Sequence, residues 1–307
     1  MNNDRLKILF AFASIYIIWG STYFALRFGI KTIPPFLLSS VRFFIAFLVL
    51  FCCCLLRRET LPGFRSIINN SICGVLMLGG GTVSVAWGEQ YLPSSTAAII
   101  VTFLPFWFVL LDRKQWNYYF TNKIILLGLL LGFIGVVVLT NFANPDTTSL
   151  NKPGHAAFGI TAILLGGIAW TIGSLFSKYR ATNGSLLMNG SIQLLATSVV
   201  CIIISVATGE LRSFSVSQVS PQSMYAFVYL IFMGSIVAYL SYLYLLSVRP
   251  AVQVSTYVYI NPLIAVFLGV IFANEQITFA EVLALLIILC GVLLVNMPKY
   301  YALKKAG

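Results

Sequence analysis

Arg42 and Glu89 are the charged side chains whose placement could do chemistry. Arg42 lies two turns inside an apolar run that begins near residue 36, and Glu89 closes the run that ends at residue 88. A guanidinium deep in a bilayer costs about 2.5–3.5 kcal/mol on insertion scales. Arg42 must therefore face the interior of a bundle or snorkel to the interface. Facing inward, it would pair with Glu89 or receive an anionic group of a small molecule; snorkelling, it is an anchor. A carboxylate removed from water holds its proton toward neutral pH, which makes Glu89 the residue to watch for proton coupling. Its position at a helix end favours the plainer reading, a carboxylate in water.

A second set is aromatic. Trp19, Tyr23, Trp87, Trp170, Tyr239, Tyr242, Tyr257 and Tyr259 lie within apolar runs or near their ends. Trp87 and Tyr239 fit an interfacial belt. Trp19 and Trp170 are deeper, and Tyr257 and Tyr259 precede a proline. These four and Tyr242 are expected at a cavity, where their faces would suit an organic cation or an amphipathic amino acid. Ser21, Thr22, Thr102, Ser174, Ser255, Thr256 and Asn261 add small polar groups, which either meet a bound molecule or hydrogen-bond between helices. Pro105 and Pro262 are expected in mid-helix. There each removes one hydrogen bond and frees a carbonyl one turn back, that of Val101 and that of Val258. In a bilayer such carbonyls need a partner or a cavity; the competing reading is a packing kink. Gly79-Gly80-Gly81 permits bending or close approach, and Gly128-x-x-x-Gly132 fits a small-residue packing face.

Other chemistry lacks its parts. No GxxxxGK[ST] run offers a nucleotide phosphate site, and no HExxH or Ser/His/Asp set is present. His155 is the sole histidine, in a loop. The six cysteines, Cys52, Cys53, Cys54, Cys73, Cys201 and Cys290, form no CxxC pair and sit in or beside apolar runs. They are expected to be apolar fillers. No metal and no cofactor is implied. A membrane enzyme would need more converging His, Asp or Glu, and a channel would need rings of charge or a repeated filter.

The elements that position these residues follow from hydropathy. Of 307 residues, 59% are hydrophobic and 9% charged, and mean hydropathy is +0.94. Soluble domains carry roughly 25% charged residues. About 20 apolar residues cross a bilayer as a helix. Ten such runs emerge, near 8–27, 36–56, 67–88, 94–112, 123–141, 156–177, 187–208, 224–247, 252–273 and 280–297. The expected fold class is all-α, a polytopic membrane protein. With both termini on the cytoplasmic side of the cell membrane, 14 of the 19 Lys and Arg fall inside, a positive-inside pattern. The net charge of +11 is spread over short loops, which argues against a nucleic-acid partner. The oligomeric state is left open.

The two halves match. Trp19, Arg27 and Arg42 are spaced as Trp170, Lys178 and Gln193, and Leu104-Pro105 as Asn261-Pro262. Gly135 corresponds to Gly291. Five helices per half is an odd number, so the second half enters the membrane inverted. Inverted repeats recur in secondary transporters, with the site at mid-membrane between the halves.

Trp19-Gly20-Ser21-Thr22-Tyr23-Phe24, Pro34-Pro35 with Val41-Arg42-Phe43, and Tyr257-Val258-Tyr259-Ile260-Asn261-Pro262 with Asn274-Glu275 resemble the EamA-type members of the drug/metabolite transporter superfamily. The resemblance spans the chain. It implies two EamA repeats, 1–143 and 154–299, a central cavity, and export of amino acids or similar small metabolites, with no enzymatic activity. Asp112-Arg113-Lys114 stands where the family often has Gly-Glu after the fourth helix, so no carboxylate role carries over there. The binding set expected from residues and resemblance together is Trp19, Ser21, Tyr23, Arg42, Glu89, Thr102, Trp170, Ser174, Tyr242, Thr256, Tyr257, Tyr259 and Asn261.

Overall fold

Continuous apolar runs become helices because each backbone N–H and C=O then finds its partner within its own segment, as a bilayer demands. A computed structural model describes residues 3–91, 97, 100–142, 156–180, 184–264 and 279–305, and among these no residue is in a strand. The main helices are α1 (Asn3–Gly29), α2 (Pro35–Leu56), α3 (Phe64–Gly88), α4 (Leu104–Leu111), α5 (Lys123–Phe142), α6 (Ala156–Tyr179), α7 (Leu186–Ala207), α8 (Pro221–Val248), α9 (257–264) and α10 (Phe279–Lys305). His155, Asn274 and Glu275 fall outside the described residues.

Among the described residues six helices are long and apolar enough to cross a bilayer: α1, α2, α3, α6, α7 and α8. They become seven if Arg113–Thr121 and Lys123–Val138, which meet at 91°, form one broken span. The runs at 94–112 and 252–273 do not form single long helices. The first turns at Thr102–Phe103 before α4. Pro105 therefore stands in the first turn of α4 and not in mid-helix as expected; there the missing N–H removes no intrahelical bond. The second breaks at Ser255–Thr256, whose hydroxyls bond back to the carbonyls of Val252 and Gln253 at 2.9 and 2.7 Å, competing with the helical ladder. Pro262 lies past that break, within α9.

The most extensive helix contacts are α5 with α10, α2 with α7, and α3 with α6. Glycine sets the first. A Cβ on Gly291 would lie 2.5 Å from the Gly132 nitrogen and 2.7 Å from the Gly128 carbonyl oxygen, so the two backbones touch where the GxxxG pattern was expected to pack. Ser40 and Ser198 fasten α2 to α7, each hydroxyl donating to the other residue's carbonyl, at 3.0 and 2.9 Å. α3 and α8 are not α-helical throughout. Val75–Thr82 and Leu230–Ala238 are π-helical, and they occupy equivalent stretches of the third helix in each half. π-Helical segments are rare and recur at functional sites.

Candidate functional site

The symmetric tryptophans meet at the centre. Trp19 and Trp170 have ring centroids 5.5 Å apart, and Trp19 also touches Tyr242 at 5.2 Å and Tyr257 at 4.7 Å. Each tryptophan lies against the π-helical segment of the other half. A Cβ on Gly81 would lie 2.6 Å from the Trp170 ring, and Trp19 Nε1 points at the Gly234 carbonyl at 3.4 Å. Glycine is required at 81 by this approach; Gly80 and Gly81 form a packing surface for α6, and Gly79 faces Thr197 of α7.

Next to this cluster is a cavity with about 120 Å³ of space for water-sized molecules. Its walls come from α1, α2, α3, α4, α6, α8 and α9. Of the residues expected at a site, Trp19, Thr22, Tyr23, Arg42, Trp170, Tyr257 and Asn261 line it. Along α1 the lining runs from Trp19 to Leu26, toward that helix's C-terminal end; along α2 it comprises Arg42 and Phe43 in the half that begins at Pro35. The cavity therefore occupies one half of the bundle.

Arg42 is the single charged residue among the described lining residues. It is 4% exposed, and its Nε and Nη2 have no hydrogen-bond partner. The expected partner lies elsewhere: Glu89, 8% exposed, does not line the cavity and lies within electrostatic reach of Arg27 and Tyr23. Its Oε1 is buried without a partner, so the expectation of a solvated helix end fails. Asn261 is likewise buried, its amide beside the Tyr23 hydroxyl.

The remaining expected residues are placed behind the walls. Tyr242 sits beneath the tryptophans and is bonded to Trp170 Nε1 at 2.9 Å and to Ser174 Oγ at 2.7 Å. Thr256 pairs with Tyr16 Oη at 2.8 Å. Ser21 bonds Tyr229 Oη at 2.6 Å. Tyr259 donates to the Leu129 carbonyl at 3.2 Å and lies against Gly132, so it packs α9 on α5. Thr102 and Pro105 are buried at the turn into α4. Trp87 is half-buried against Tyr91.

Several lining residues were not singled out. Phe43, Trp107 and Ser235 line the cavity, as does Tyr239, which was placed in the interfacial belt. Tyr239 is fully buried and donates to Gln193 Oε1. Gln193 Nε2 donates to Asn70 Oδ1, and Asn70 Nδ2 to Asn189 Oδ1, both at 2.9 Å. The signal was present: Gln193 is the counterpart of Arg42, and Asn70 and Asn189 are amides inside apolar runs.

The opposite half of the bundle is tied shut. Lys178 Nζ donates to the carbonyls of Leu246 and Arg249, both at 2.6 Å, holding the C-terminal end of α8. Asp112, 1% exposed, accepts from Tyr119 at 2.8 Å and from Tyr179 at 2.7 Å. These bonds join the end of α4, the short helix Trp116–Thr121 and the end of α6.

This geometry agrees with known proteins. The EamA-like transporter family model matches the chain twice, over residues 6–141 and 157–297. The chain belongs to the EamA-like transporter family. It is 36% identical to the uncharacterized inner membrane transporter YedA of Escherichia coli (strain K12), over 96% of this chain and 92% of that protein. It is 24% identical to the uncharacterized transporter YoaV of Bacillus subtilis (strain 168), over 94% of this chain and 96% of YoaV. It is 26% identical to the protein PagO of Salmonella typhimurium, over 96% and 93% respectively. A crystal structure of a protein 18% identical superposes with a TM-score of 0.74, covering 95% of this chain and 98% of that one, and so shares the fold. An EamA-like chain of this kind is a membrane transporter.

Proposed function

We propose that this EamA-like protein is a secondary carrier that exports amino acids or similar small organic metabolites by alternating access. The observation that carries it is the one-sided cavity: it begins at the Trp19–Trp170 contact and fills one half of the bundle, while Lys178 and Asp112 close the other. On this reading the chain makes ten spans in two inverted five-helix halves, α1–α5 and α6–α10, with both termini cytoplasmic and the cavity facing outward. Rocking of one half against the other would move the bound molecule across. The paired π-helical segments, Val75–Thr82 and Leu230–Ala238, are where the two halves meet the cavity. Glu89, buried at the outer end, is the group to carry a coupled proton.

Counterflow in proteoliposomes tests the proposal. Saturable uptake of a labelled amino acid or metabolite, stimulated by the unlabelled molecule on the other side, is expected. Flux that rises linearly with the gradient and shows no trans-stimulation would mark a channel instead.

A further inference from the structure

We propose that the cavity takes amphipathic organic acids, with Arg42 as the receptor for the anionic group and the tryptophans as the seat of the apolar body. This rests on the carrier reading above. A buried guanidinium keeps donors unpaired at a high cost, because nothing replaces the water they lost. The fold supplies only part of that replacement: the guanidinium lies over the Phe43 ring at 4.4 Å, while Nε and Nη2 are unpartnered at 4% exposure. Its rigid fork matches a carboxylate or a phosphate bidentately.

The surroundings favour an anion from outside. Among the described lining residues no carboxylate is present, and Glu89 lies by Arg27 and Tyr23. An organic cation, which the aromatic walls alone would suit, would meet an uncompensated positive charge in a poorly screened site. Asn261, buried on the cavity wall within reach of the Tyr23 hydroxyl, offers a second polar group from α9. Trp19, Trp107 and Trp170 and the aliphatic Leu78 and Val101 complete the walls. The other half shows that the position does not force this arrangement. Gln193, the counterpart of Arg42, is bonded to Asn70 and Tyr239 within the protein. One member of the pair is satisfied internally; the other waits on a ligand.

The test uses the purified full chain and tryptophan fluorescence, since three tryptophans line the cavity. The probes are 3-phenylpropionate, 3-phenylpropanamide and 3-phenylpropylamine, which share a body and differ in charge. The acid is expected to bind about tenfold tighter than the amide, near 1.4 kcal/mol, and the amine weaker still. Arg42→Gln should bring the acid to the level of the amide and leave the amide unchanged, and Arg42→Lys should keep part of the preference. Equal affinities in the parent protein, no binding of any probe, or a preference that survives Arg42→Gln overturns the proposal. Should Arg42→Gln not fold, the parent series and Arg42→Lys decide alone. Counterflow separates the two readings. An acid that binds but is never exchanged defeats the carrier and leaves the Arg42 assignment. Exchange of amide or amine as readily as acid defeats the assignment and leaves the carrier.

Discussion

Trp19 and Trp170 stand at the same place in the two halves of the chain and meet edge to face, their ring planes 78° apart. Two copies of one position can touch only near the axis that relates the halves. The same axis explains why α2 packs on α7 and α5 on α10. It also explains the crossing pattern, in which Trp170 lies over Gly81 and Trp19 points at Gly234.

Because the rings touch, their contributions should couple. Trp19→Leu, Trp170→Leu and the double variant, unfolded in mixed micelles, are expected to show a coupling energy of about 0.5–1.5 kcal/mol. Additive effects would mean that the contact contributes nothing. Trp170→Phe keeps a ring but loses the bond to Tyr242, and should cost about 1 kcal/mol.

Gly291 faces backbone, and backbone cannot yield as a flexible side chain does. With the Gly132 nitrogen 2.5 Å from any added Cβ, Gly291→Val must push α10 off α5. A loss of about 1–3 kcal/mol or more is expected, read as a lower melting temperature and less monodisperse protein. A variant as stable as the parent would show that these helices separate freely.

Asp112→Ala would leave the hydroxyls of Tyr119 and Tyr179 without their acceptor. The fully buried Tyr119 hydroxyl, left unpaired, costs about 1–3 kcal/mol, the half-buried Tyr179 hydroxyl less, and the cost falls on this end of the bundle. Amide hydrogen exchange across residues 113–121 should speed up, while α5 and α10 stay protected. Unchanged exchange at 113–121 would remove Asp112 from any role in closure.

Glu210, in the loop after α7, accepts the Leu37 N–H at 3.0 Å in the first turn of α2. Partial burial pushes its carboxyl above the ordinary range, against the hydrogen bonds it accepts. The folded protein therefore binds this proton more tightly than the unfolded chain. That contribution is complete below the ordinary carboxylate range and is lost as pH rises through the folded value. Melting of the parent and of Glu210→Gln, followed upward from about pH 4, should show the parent losing ground to the variant. A difference that grows in the parent's favour with rising pH would reverse the sign.

Helical class, the membrane setting and the paired halves were legible because each is written in one dimension. Apolar runs near 20 residues, Lys and Arg between them, and spaced matches such as Trp19 with Trp170 need no coordinates. The small-residue face at Gly128 and Gly132 was legible for the same reason, since glycine at i and i+4 has few other uses in an apolar helix. The roles of individual polar residues were not. Thr256, Ser21 and Ser174 carry hydroxyls that suit a ligand or a neighbour equally, and only the approach of Tyr16, Tyr229 and Tyr242 decided for the neighbour. Tyr239 read as an interfacial ring until the fold buried it against Gln193. Pro105 read as a kink until α4 was seen to begin at Leu104.

Arg42 shows where the boundary lies. Its cost in an apolar run was plain from the sequence, because a charge in hydrocarbon is costly wherever it points. Whether it pairs, snorkels or waits depends on what six other helices bring to it. Packing moved Glu89 to Arg27 and Tyr23, gave Gln193 its own partners, and set the Arg42 guanidinium on a cavity wall with Nε and Nη2 unpaired.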